Sequence, residues 1–257
     1  VAAPGDLLGS MISGKPDPLA PASSTIIGSA LAPLLGYASI SVQMRGSGCS
    51  GGAFDLFDLP TTYDGYDAVE TVAAQPWVKG GVVGMVGISF SGISQIFVAG
   101  SRPPHLAAIT PMSITDDLYT STGYPGGIFN KGFALSWIKE RVADAQPAPE
   151  GGQPYARELV KRGDPDCTAN QKLRLQTQDV LKLIQDNPFR TPSLFDNRAP
   201  ATWMPKIEVP TFLIGAFQDE QTGGNFASSL GKFSNNDRVW FSLYNGVHVD
   251  SLGPSTV

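Results

Sequence analysis

Apolar runs of six or seven residues, each bounded by glycine, proline or polar turns, alternate with amphipathic stretches through the first half of the chain. Residues 37–42, 82–88 and 106–112 read as buried strands. A short helix over residues 24–35 precedes the first of them. Between the first and second strands, Thr61 or Thr62 can cap a helix to about Gln75, with Tyr66, Val69, Val72 and Ala73 on its apolar side, and Pro76 ends it. Between the second and third, residues 91–100 read as a helix. Strands and helices alternating at this spacing pair in parallel through right-handed crossovers, which predicts a doubly wound sheet.

After Met112 the rhythm breaks. Residues 113–128 are rich in Ser, Thr, Gly and Tyr, and residues 131–144, 155–161 and 171–185 then read as helices. In the last of these, Leu173, Thr177, Val180 and Ile184 share one face. An irregular connector over 188–205 leads to a strand at 209–215, a short helix at 224–233 and a final strand at 238–243. The expected organisation is a core of residues 1–129 and 206–257 interrupted by a helical cap over 130–205.

Composition narrows the function. The chain has 257 residues, 42% of them hydrophobic, which is ample for a packed core. Charged residues make up 16%, while glycine and proline number 29 and 21, so many turns and ordered loops are expected. A net charge of −5 without any basic cluster excludes a nucleic-acid or anionic-membrane footprint. Residues 18–44 carry no charge, but Pro21, Pro33, Gly28 and Gly36 interrupt them, so no membrane span is expected. The sequence carries no signal peptide, which fits a cytoplasmic chain, a mature secreted form or a fragment. The two cysteines, Cys49 and Cys167, could form one bridge, favouring an oxidising compartment, or remain buried thiols. The glycine-rich segment 45–52 lacks the Lys-Ser/Thr ending of a phosphate cradle and is expected to be an ordered loop at the carboxyl edge of a sheet.

Candidate chemistry centres on Ser89. The run 82–88 ends in Gly87-Ile88-Ser89-Phe90-Ser91-Gly92, a pattern that turns a strand sharply into a helix and lifts the serine out of the sheet. Such a turn demands small residues two before and two after the serine; Gly87 and Ser91 meet that demand, although glycine is usual at the second place. A nucleophilic serine needs a base and an acid to orient that base. Of the two histidines, His105 precedes a strand and falls at the amino edge, whereas His248 follows the final strand at the carboxyl edge, where ligands bind in open parallel sheets. Asp219, with Glu220 as second choice, follows the preceding strand at that edge. The backbone N–H of Phe90 is the expected first oxyanion donor, and a second would fall near residues 1–6 or be missing.

The order Ser, Asp, His is that of α/β-hydrolases. Within them the chain resembles the cocaine esterase and X-Pro dipeptidyl-peptidase-like group, through Gly36-Tyr37-Ala38, Arg45-Gly46, the approach from Trp77 to Gly84, and Gly87 to Gly92. Asp117-Leu118-Tyr119 with Gly126-Gly127, Val209-Pro210 leading to Asp219, and Gly246 to His248 add to it. The resemblance implies an α/β-hydrolase fold with a mostly parallel sheet, Ser89 as nucleophile, Asp219 as acid, His248 as base, and a helical cap that shapes the acyl pocket. It also implies a core without the group's first strands and its C-terminal β-sandwich. Gln43 stands where the group usually has an acidic residue.

The expected function is hydrolysis of carboxylic esters through an acyl-enzyme, on a small-molecule ester or short peptide, without metal or cofactor and in a secreted or extracytoplasmic setting. Two alternatives stand beside it. One is an X-Pro dipeptidyl peptidase or α-amino-acid ester hydrolase, which needs a carboxylate cluster for the substrate amine; Asp116, Asp117, Glu140 and Asp144 are generic candidates. The other is a catalytically silent binding domain. A Cys49–Cys167 bridge would tether the cap to the sheet.

Overall fold

The computed structural model describes residue 32, residues 35–176 and residues 178–252. The helix expected over 24–35 and the second oxyanion donor expected near residues 1–6 lie outside the described residues, apart from the last part of that helix. By their contacts the residues group into two compact units: residues 55–139 with 179–257, and residues 1–54 with 140–178.

The first of these units carries the sheet. Its described strands are β1 Val83–Ile88, β2 Leu106–Met112, β3 Thr211–Ala216 and β4 Val239–Tyr244, all parallel and hydrogen-bonded in that order. The order does not reverse among the described strands, so the switch of a doubly wound sheet is not found within these four. Helix α1, Leu59–Ala73, precedes β1, and α2, Phe90–Gly100, joins β1 to β2. Ile96 and Phe97 of α2, Ile109 and Met112 of β2, and Leu213 and Ile214 of β3 are at most 2% exposed. Each such side chain contributes about 1.5–3 kcal/mol by leaving water. The apolar runs at 82–88, 106–112, 209–215 and 238–243 thus become strands, displaced by no more than two residues.

Other expectations change. Residues 37–42 form no strand, and Tyr37, Ile40 and Val42 are 69%, 50% and 64% exposed. A strand exists only through its pairing, and this apolar run has no pairing partner among the described residues. The glycine-rich segment 45–52 therefore does not leave a strand end; it is a series of turns. Helix α1 is capped by Asp58, not Thr61 or Thr62: Asp58 Oδ1 accepts the Thr61 N–H at 3.0 Å, and a proline sits in the first turn, where the missing N–H is not needed. The helix expected over 224–233 is a 3₁₀ stretch, Gly224–Gly231.

Between β2 and β3 the regular structure is helical, as expected, beginning with a π turn at Leu118–Gly123 and including α3 Phe133–Asp144, α4 Pro154–Lys161, α5 Pro165–Gln171 and α6 Val180–Gln185. The single helix expected over 171–185 is broken, because Asp179 accepts the Lys182 N–H at 2.9 Å and opens α6 afresh. In the unit of 1–54 and 140–178, Cys49 and Cys167 form a disulfide across 118 residues of sequence. Both cysteines belong to this one unit, so the bridge ties the turns at 45–52 to α5 and not to the sheet. Around it, Arg174 is 3% exposed and its guanidinium donates to the carbonyls of Gly48 at 2.6 Å and Ser50 at 3.1 Å, while Asn170 Nδ2 donates to the Cys49 carbonyl at 3.0 Å. The loop is held by side-chain donors on its carbonyls as well as by sulfur.

Candidate active site

Ser89 stands between β1 and α2 with φ 60° and ψ −127°, a conformation that L residues rarely adopt. A serine in the capping position usually bonds the first turn, but the Ser89 hydroxyl makes no capping bond. Backbone strain of this kind clusters at functional sites. The turn is tight enough that a Cβ on Gly92 would meet Met112 O at 2.6 Å and Gly87 O at 2.9 Å, and one on Gly87 would meet Ser91 Oγ at 2.5 Å. Gly92 therefore takes the close approach, Ser91 is accommodated, and Ser91 Oγ donates to the Ile88 carbonyl at 2.9 Å.

Two longer-range contacts fix this elbow to β2. The Ser89 N–H donates to the Met112 carbonyl at 2.9 Å. Gln95, fully buried, accepts the Thr110 N–H on Oε1 at 3.0 Å and donates from Nε2 to the Ser91 carbonyl at 2.9 Å. Phe90 opens α2, so its N–H has no intrahelical acceptor, and its ring lies 4.6 Å from Phe57 and 6.0 Å from Trp137 between centroids. Trp137 in turn walls an apolar cavity together with Leu56, Tyr119, Ile138, Ile184 and Phe195.

His248 and Asp219 come together at the carboxyl ends of β4 and β3. His248 Nδ1 lies 2.7 Å from Asp219 Oδ2, with the two side chains 4% and 1% exposed. Asp219 also accepts the N–H groups of Gln221 and Thr222 on Oδ1, at 2.9 and 2.8 Å, and the Thr222 hydroxyl on Oδ2 at 2.6 Å. Burial pushes the Asp219 carboxyl up, but the hydrogen bonds from His248 and Thr222 outweigh it and hold the group below its usual range. Glu220 has a different place: its Oε2 accepts the His248 backbone N–H at 3.0 Å, and that bond holds this exposed carboxylate below its usual range. Of the two acids, Asp219 lies on the imidazole and Glu220 on the peptide.

The second ring nitrogen, His248 Nε2, is buried and has no hydrogen-bond partner among the described residues. No hydrogen bond joins it to Ser89 Oγ, although residues of β1 lie against the turn His248–Leu252. Catalytic hydrogen bonds are often long before substrate binds. His105 is apart from all this, its Nδ1 2.6 Å from Glu70 Oε2 on the surface.

The carboxylates considered for a substrate amine are engaged elsewhere. Asp117 accepts the Tyr119 N–H at 2.8 Å and pairs with Arg190 at 2.7 Å, Asp116 accepts from the hydroxyls of Ser121 and Ser228, and Arg141 pairs with both Glu140 and Asp144. Among the described residues no three His, Cys, Asp or Glu side chains group so as to hold a metal ion, and no helix is long and apolar enough to cross a membrane. Sequence reasoning missed Gln95, Thr222 and Ser113, whose hydroxyl donates to the His248 carbonyl at 2.7 Å.

Comparison with known proteins bears on the family and the fold. The chain is 36% identical over 106 residues to cocaine esterase of Rhodococcus, a match covering 40% of this chain and 18% of that protein. It is 34% identical over 103 residues to a Mycobacterium bovis protein whose name places it among the serine esterases, covering 40% and 16%. Among solved structures, a CocE/NonD family hydrolase from Staphylococcus aureus superposes with a TM-score of 0.68 at 21% identity, covering 92% of this chain and 37% of that one. The chain thus spans well under half the length of these relatives, and it has the α/β-hydrolase fold. Residues 29–250 match the X-Pro dipeptidyl-peptidase (S15) family, and with that match over most of its length the chain belongs to this family.

Proposed function

We propose that the chain is the core of a serine hydrolase that cleaves carboxylic esters through an acyl-enzyme. The observation that carries this reading is the buried Asp219–His248 pair, whose outer nitrogen has no partner among the described residues, in a turn that lies against β1, the strand leading into the strained Ser89, whose hydroxyl makes no capping bond. In the proposed sequence Ser89 Oγ attacks the ester carbonyl while its proton passes to His248 Nε2, and Asp219 fixes the ring and the imidazolium that forms. The Phe90 N–H, at the helix start, binds the oxyanion. Collapse expels the alcohol, which takes the proton from His248. Water, deprotonated by His248, then attacks the acyl-serine and releases the acid.

Esters are preferred over peptides because an aminopeptidase must neutralise a substrate ammonium. Asp116, Asp117, Glu140 and Asp144 are each committed to hydroxyls, caps or arginines, and the cavity beside Trp137 is mostly apolar, with Asp117, already paired to Arg190, and Arg198 in its wall. Family membership favours the second reading, an X-Pro dipeptidyl peptidase or an α-amino-acid ester hydrolase. Parallel assays with p-nitrophenyl butyrate and Gly-Pro-p-nitroanilide distinguish them: faster ester cleavage is expected, and faster anilide cleavage reverses the ranking. The Cys49–Cys167 bridge supports work in an oxidising, extracytoplasmic compartment.

A further inference from the structure

We infer that Ser113 is a positioning residue that sets the distance between Ser89 and His248. The inference rests on the serine-hydrolase reading above and extends it to a residue that makes no contact with the proposed reacting atoms. Ser113 follows β2 directly, is 1% exposed, and has φ +47°, one of four non-glycine residues in the described structure with positive φ. Such a conformation costs on the order of 1–3 kcal/mol for a residue other than glycine and persists only where the surroundings impose it.

The surroundings do so at three points. The Ser113 N–H donates to the Ile214 carbonyl of β3 at 2.8 Å. Its hydroxyl donates to the His248 carbonyl at 2.7 Å and lies 3.0 Å from Ser251 Oγ, which also donates to that carbonyl at 3.2 Å. The residue before it, Met112, accepts the Ser89 N–H. Two adjacent residues at the end of β2 therefore hold the peptide of the proposed nucleophile and the peptide of the proposed base.

No direct hydrogen bond links Ser89 Oγ to His248 Nε2, so their separation is set by main-chain anchors, and the adjacent Met112 and Ser113 supply one to each. Glu220 grips the other end of the His248 residue through its N–H. The imidazole is thus held by its own peptide from two strand ends as well as by Asp219. With this positive φ, directly after β2 ends at Met112, the Ser113 hydroxyl reaches the His248 carbonyl.

A simple turn-forming role and a positioning role separate in the variants Ser113→Gly and Ser113→Ala. Glycine adopts φ +47° without strain but lacks the hydroxyl; alanine lacks the hydroxyl and keeps the strain. The measurements are the second-order rate of Ser89 labelling by a fluorophosphonate, kcat and KM on p-nitrophenyl butyrate, and the urea midpoint. If Ser113 positions the base, both variants lose about 10- to 100-fold in labelling rate and kcat with KM little changed, the scale expected for sub-ångström to ångström misplacement. The glycine variant does so while unfolding at the wild-type urea concentration or above. A glycine variant with wild-type labelling and kcat overturns the inference and leaves the hydrolase reading intact. A wild-type protein that is never labelled overturns the hydrolase reading, and this inference falls with it.

Discussion

The elbow at Ser89 and the loop at His248 present their side chains to the same edge of the sheet by opposite means. The elbow is a local construction, in which Gly87, Ser91 and Gly92 let α2 fold back on β1 and a six-residue stretch encodes the geometry. The His248 loop has little local structure of its own beyond a 3₁₀ turn. It is held from outside, by Asp219 and Glu220 after β3 and by Ser113 after β2. The proposed nucleophile can therefore be written into one short motif, whereas the proposed base depends on residues 29 and 135 positions away in sequence.

The sharpest way to break this contrast is to remove one external support at a time. Asp219→Asn keeps the size of the side chain but offers the ring the wrong hydrogen-bonding group. By analogy with tautomer loss in other triads, turnover falls about 10⁴-fold. Glu220→Gln, which leaves an acceptor for the His248 N–H, lowers turnover at most several-fold. Steady-state kinetics on p-nitrophenyl butyrate compares them, and a larger loss in the Glu220 variant would transfer the orienting role to that residue.

The elbow is tested by Gly92→Ala. The new methyl would meet backbone atoms of Met112 and Gly87, which cannot move as a side-chain tip can. A loss of about 1–3 kcal/mol in urea unfolding is expected, with slower labelling of Ser89. Wild-type stability would show that the close approach is not what forms the turn.

The smallest effect is in the pH dependence of stability. Asp219 has its carboxyl below the usual range in the folded protein, so the folded state binds its proton less readily than the unfolded chain does. Its contribution is fully present above the ordinary aspartate value of about 4 and is lost as the pH falls through the depressed folded value. Urea midpoints measured down to acid pH should therefore fall for the wild type, and less steeply for Asp219→Asn. Parallel slopes would mean that Asp219 is not held low by His248 and Thr222.

The same local-versus-distant distinction explains what was legible in the sequence. The strands at 82–88, 106–112, 209–215 and 238–243 and the turn at Ser89 depend on contiguous residues, and each could be read directly. His248 and Asp219 could be placed because each lies in the loop that leaves the carboxyl end of a strand. Residues 37–42 have the apolar pattern of a strand, but pairing is a property of neighbours, and Tyr37 and Val42 are exposed instead. The expected 171–185 helix ignored Asp179, whose capping preference restarts the chain. Ser113, Gln95 and Thr222 carry no motif; only the positive φ of Ser113 and the burial of Gln95 reveal them, and neither is visible in a string of letters.

The central claim is that Ser89 is a nucleophile activated by His248. Labelling of the full-length protein with a fluorophosphonate probe tests it most directly. The account predicts that the wild type is labelled, that Ser89→Ala is not, and that His248→Ala is labelled far more slowly. An unlabelled wild type, or labelling that survives in Ser89→Ala, would contradict it.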